Sequence, residues 1–107
     1  MALDILITND HGKADKSISL YTEDYDFVMD KIEHVNDFPL LKRILADYYG
    51  ESEVYLNELE ILKREALMLN EKFGSAYPKA ISDFMADFFN IIDYAIMTRK
   101  TIQLIGD

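Results

Sequence analysis

Hydrophobic and polar positions change their period along this chain, and each change marks a new element. Over residues 2–8, Leu3, Ile5 and Ile7 alternate with Asp4 and Thr8, the period-two pattern of a half-buried strand. Leu6 interrupts the polar side, so the second face is expected to be partly covered. Asn9-Asp10-His11-Gly12 is turn chemistry, because Asn, Asp and Gly tolerate tight backbone geometry. A second strand at 16–21 follows, with Ile18 and Leu20 set against Ser17 and Ser19, and the two strands read as a β-hairpin.

The period then lengthens to that of a helix. Thr22 offers an N-cap oxygen, Glu23 and Asp24 complement the dipole in the first turn, and Tyr25, Val28, Ile32 and Val35 carry the apolar face of a helix over 23–35. Pro39 fits only a first turn, so a second helix starts there with Leu40, Leu41, Ile44, Leu45 and Tyr48, and Gly50 ends it. Ser52 caps a third helix with a narrow seam through Tyr55, Leu59, Leu62, Ala66, Leu69 and Phe73. Gly74 stops that helix and Pro78 opens a fourth. Its broad apolar face, with Ile81, Phe84, Met85, Phe88, Ile91, Ile92, Ala95 and Ile96, suits a central position, and Arg99 and Lys100 favour the dipole at its end. The closing TIQLIGD alternates again. A lone strand must find backbone partners, and the hairpin is the sheet at hand. The expected fold is α+β: about four helices packed on a small three-stranded antiparallel sheet, formed by the N-terminal hairpin and the C-terminal strand, in one domain over 1–107.

Composition supports a globular chain, since 50% of the 107 residues are apolar and 12% aromatic. Cysteine is absent, which removes disulfides, thiolate nucleophiles and Cys-based zinc sites. The start lacks a basic n-region and meets Asp4 early, and no apolar run approaches the roughly 18 residues of a membrane span, so a cytoplasmic location is expected.

Charge adds more. Residues 21–60 hold eleven carboxylates against only Lys31, Lys42 and Arg43, so this stretch carries eight of the nine net negative charges. Such a field repels nucleic acid and anionic lipid and attracts basic proteins. No nucleic acid and no membrane is expected as a partner.

Catalytic groupings are sparse. No Gly-rich run could cradle phosphate, no serine sits in a nucleophile elbow, and His11 and His34 read as surface histidines in a turn and an acidic helix. Asp30, Glu33 and His34 could meet a divalent ion, but ligands from one exposed helix make a weak site, and the calcium-loop pattern is missing. We expect no enzyme, no metal and no cofactor.

What remains is a surface. Glu23, Asp26, Asp30 and Glu33 step by three, four and three residues and form one stripe off the apolar face of the first helix. Asp37 continues it, and Asp47-Tyr48-Tyr49-Gly50-Glu51-Ser52-Glu53 sets neighbouring tyrosines among carboxylates. Tyrosine adds contact area at low entropic cost and carboxylates select a basic partner. The candidate partner-binding residues are therefore Glu23, Asp26, Asp30, Glu33, Asp37, Tyr48, Tyr49, Glu51 and Glu53. The alternative for Tyr48 is a place in the core, with Tyr49 covering it.

The strand-turn opening through Ile18-Ser19-Leu20, the central FPLLKRILADYYG with its acidic sequel, and the closing IQLIGD resemble the small acidic immunity proteins encoded beside polymorphic toxins, including those of contact-dependent growth inhibition systems. The resemblance spans most of the chain and includes no catalytic motif. It implies a protein that binds a cognate toxin domain and blocks it, with a basic nuclease, an RNase favoured, as the leading partner. No site residue carries over, because such families vary most where they touch their toxins. An acidic adaptor or regulatory binding protein, including a nucleic-acid mimic, is the alternative.

Overall fold

The computed structural model describes residues 2–9, 11–46 and 48–106. Strands β1 (Ala2–Thr8) and β2 (Ala14–Tyr21) form the expected hairpin. Its turn is held by the Asn9 side chain, whose Oδ1 accepts the main-chain N–H groups of His11 and Lys13 at 2.9 and 3.1 Å. Gly12 takes the positive φ of 75° that this turn requires. Asp10, the remaining member of the expected turn, lies outside the described residues.

Four helices follow the hairpin: α1 (Thr22–Ile32), α2 (Pro39–Leu45), α3 (Leu59–Phe73) and α4 (Lys79–Thr98). Strand β3 (Glu51–Val54) lies between α2 and α3, and β4 (Ile102–Gly106) closes the sheet. The sheet has four strands, not three, in the order β2-β1-β4-β3, and every pairing is antiparallel. The closing strand is internal, with a partner on each side. The hairpin fills one side through Leu3↔Gly106 and Ile5↔Leu104, and β3 fills the other through Ser52↔Leu104 and Val54↔Ile102.

Ser52 therefore pairs within the sheet and caps no helix. The third helix starts later, at Leu59, after a single 3₁₀ turn over Leu56–Glu58. Thr22 likewise is the first helical residue, not the cap, and its hydroxyl donates to Tyr48 Oη at 3.2 Å. The second helix stops at Leu45, which leaves Tyr48 beyond it.

Helices cover one face of the sheet. Leu3, Ile5, Ile7, Leu20, Val54, Ile102 and Leu104 point into one core with Ile32, Phe38, Leu41, Ile44, Leu62, Leu69, Ile81, Phe88 and Ile92. The other face presents Asp4, Leu6, Ser17, Ser19, Gln103, Ile105, Glu51 and Glu53, and is open enough that Ile105 is 37% exposed. Helix α4 buries Ile81, Met85, Phe88, Ile91, Ile92 and Ala95, the broad face read from its sequence. It ends at Arg99, which adopts the left-handed conformation (φ 57°) while Lys100 N–H reaches back to the Ala95 carbonyl at 3.0 Å.

Candidate partner-binding surface

The first helix is fixed from below and bare above. Val28 and Ile32 are buried, and the Tyr25 hydroxyl donates to the Leu45 carbonyl, so the orientation of α1 is set by the core. Glu23, Asp26, Asp30 and Glu33 are all exposed on its opposite side. Relief of their mutual repulsion is slight. Lys31 approaches Asp30 at 3.8 Å while lying over the Phe27 ring, and His34 Nε2 stands 3.0 Å from Glu33. Lys42, the next cation along the chain, donates to the Val35 carbonyl.

The rest of the acidic segment separates from this row. Asp37 is exposed in the connection to α2 and pairs with Lys72 of α3 at 2.6 Å. Glu51 and Glu53 lie on β3, at the opposite edge of the sheet from the strand that leads into α1. Their cross-strand neighbours Ile105 and Gln103 place them on the uncovered face. Three interstrand spacings of about 4.8 Å separate the two edge strands. Of the nine candidate residues, four thus form a helical row and two, Glu51 and Glu53, a sheet edge, while Asp37, Tyr48 and Tyr49 lie in the connections on either side of α2. Glu53 is also engaged, accepting the Thr101 hydroxyl at 3.0 Å.

The two tyrosines part company as well. Tyr48 is 7% exposed and belongs to the core, where its hydroxyl donates to the Leu20 carbonyl at 3.1 Å and its ring lies 4.5 Å from that of Tyr25. That burial removes Tyr48 from the contact surface. Tyr49 is 62% exposed and meets the Tyr48 ring edge-on at 5.4 Å. Asp47 lies outside the described residues.

Arg43 explains why β3 and the start of α3 hold their places. Its guanidinium grips both Glu58 oxygens, at 2.5 and 3.0 Å, and donates to the Glu53 carbonyl at 2.8 Å. Glu58 in turn accepts the Tyr55 N–H at 3.1 Å. The hydrogen bond from Arg43, then that from Tyr55, holds the Glu58 carboxyl below its ordinary pKa, and Arg43 is correspondingly raised.

One structural carboxylate is not singled out by the residue pattern. Glu65, set in the seam of α3, is 4% exposed and accepts the N–H groups of Leu40 and Leu41 at 3.2 and 2.9 Å. It caps α2 from a different helix. Asp30, Glu33 and His34 bring ligand atoms within 4.8 Å of one another, but all three are exposed and come from one turn of chain. Among the described residues no helix is long and apolar enough to cross a membrane.

No known family model, curated protein or solved structure matches this chain significantly.

Proposed function

We propose that the protein is an immunity protein that acts in the cytoplasm, binding the basic toxin domain encoded beside it, a nuclease and foremost an RNase, and holding it inactive. It does so by binding and not by catalysis. The observation that supports this reading is the row of exposed carboxylates, Glu23, Asp26, Asp30 and Glu33, only slightly relieved by Lys31 and His34, along a helix whose other face is locked in the core.

Like charges three and four residues apart cost a helix a few tenths of a kcal/mol per pair. A cationic partner removes that cost on docking. Nuclease domains must attract polyanions, so their active-site surroundings are basic, and a rigid acidic row is complementary to them. Tyr49 and Glu51 offer a second contact area beyond Tyr48, while Asp37, exposed but paired with Lys72, lies apart from the row.

Co-expression tests the reading. The C-terminal domain of the secreted protein encoded next to this gene should be toxic alone, harmless when this protein is present, and recovered in complex with it. Absence of a neighbouring toxin gene, or undiminished toxicity on co-expression, contradicts the proposal and leaves the acidic adaptor in its place.

A further inference from the structure

The two edges of the sheet are not treated alike. At β3 the edge is four residues long, and Arg43 already occupies the outward Glu53 carbonyl. At β2 the edge runs for eight residues without a proline. The registers fix which of its backbone groups are open. Gly106 N–H bonds the Gly50 carbonyl at 2.8 Å, so Gly106 and, alternating from it, Leu104 bond toward β3, while Gln103 and Ile105 bond toward Leu6 and Asp4. Leu3 and Ile5 must then bond toward Leu20 and Ile18, and Ser17 and Ser19 direct both N–H and C=O away from the sheet.

Beside that open ladder runs a groove of about 550 Å³ between β2 and α4. Ile18, Ile91, Tyr94 and Met97 supply its apolar lining, and Met97 is 74% exposed. Its charged lining is Lys16, which stands over the Tyr94 ring at 5.1 Å, and two carboxylates. Lys63 holds Asp93 at 2.8 Å, whereas Asp87 is exposed and has no ion pair or hydrogen bond among the described residues.

We propose that β2 receives an extended, basic segment of a partner protein as a fifth strand. Its backbone bonds Ser17 and Ser19, and alternate side chains enter the groove, apolar ones over Ile18 and Met97 and a lysine or arginine at Asp87. Charge selects this occupant over a second copy of the chain: edge-to-edge pairing of two molecules of net charge −9 would bring like net charges together, whereas a basic segment finds Asp87, the groove carboxylate with no ion pair among the described residues. This surface is separate from the α1 row and stands or falls independently of it.

The probe is a blocked seven-residue peptide with valine, lysine and valine at positions 2, 4 and 6, which share the face turned to the groove, and threonine between them; it is titrated into isotopically labelled protein and followed by amide chemical shifts and hydrogen exchange. The largest shifts and new protection are expected at Ser17 and Ser19. Ser17→Pro should weaken binding at least about tenfold, because it removes an outward donor without breaking the ladder to β1. Asp87→Asn, on an exposed helical site, should weaken binding severalfold and make it less salt-sensitive, and it keeps the test open should the proline variant fail to fold. Reversing Asp26, Asp30 and Glu33 to lysine should leave the shifts at Ser17 and Ser19 in place. Shifts confined to α1, unchanged binding by both groove variants, or no binding at millimolar peptide each overturn the proposal. So does concentration-dependent self-association that protects the same amides.

Discussion

The Glu65 carboxylate accepts the Leu41 N–H at 2.9 Å, across from α3 to the first turn of α2. A helix that begins with Phe38-Pro39 has no capping side chain of its own, and its free N–H groups are buried among apolar neighbours. The carboxylate satisfies the Leu40 and Leu41 donors and places negative charge at the positive end of the helix dipole. Removing it therefore orphans buried donors, at about 1–3 kcal/mol each. Glu65→Ala should lower the Tm by several degrees, and Glu65→Gln, which keeps one acceptor oxygen, by less. Equal melting of wild type and Glu65→Ala would show that the cap contributes nothing.

Gly106 is expected to be intolerant of any side chain. A Cβ there would lie 1.9 Å from the Tyr48 carbonyl oxygen and 2.6 Å from Tyr49 Cα, backbone that is held in turn by the buried Tyr48 ring. Gly106→Ala should cost at least about 1–3 kcal/mol, the range of overpacked sites. Gly74→Ala, whose Cβ would meet nothing closer than 3.9 Å, serves as the control and should change the melting little.

The Arg43–Glu58 pair should leave a signature in acid. Because the folded-state pKa of Glu58 is depressed, the stability it contributes is present in full above the ordinary carboxylate range. It is lost as the pH falls through the lowered folded-state value. Glu58→Gln should therefore flatten the acid limb of the stability–pH curve relative to wild type while leaving the alkaline limb unchanged. Chemical denaturation at a series of pH values measures this directly, and superimposable acid limbs would contradict it.

Much of this architecture is legible in the residue pattern, and the exceptions have physical causes. Strong periodicity located β1, β2, α4 and β4, because each has a single buried face that sets its register or rotation. The fourth strand was hidden: Glu51-Ser52-Glu53-Val54 carries only one buried apolar side chain, and Ser52 before a helical run mimics a cap. Nothing in the β4 pattern signals a second neighbour, since an edge strand such as β2 leaves its outward ladder groups open. The row on α1 was legible because spacing alone determines the face of a helix. The separation of Glu51 and Glu53 from it was not, because that depends on strand order. Spacing sets Glu65, three residues after Leu62 and four before Leu69, at the margin of the α3 seam and Glu71 opposite it, but the α2 amides that Glu65 caps are brought to it only by tertiary packing.

The most direct test of the acidic row is the affinity for the toxin domain, by titration calorimetry, of a variant with Asp26, Asp30 and Glu33 reversed to lysine. Glu60, Glu71 and Asp83, all exposed and off α1, provide a control reversal of equal charge; Glu65 is unsuitable because it is buried. Charge pairs at close range in an interface couple by about 1.5–7 kcal/mol, so the α1 variant should bind at least about tenfold more weakly, and added salt should reproduce part of that loss in the wild type. Its melting temperature should equal or slightly exceed that of the wild type, since repulsion along the helix is relieved. Unchanged affinity in the α1 variant, with binding abolished in the control, would place the interface elsewhere and contradict the account.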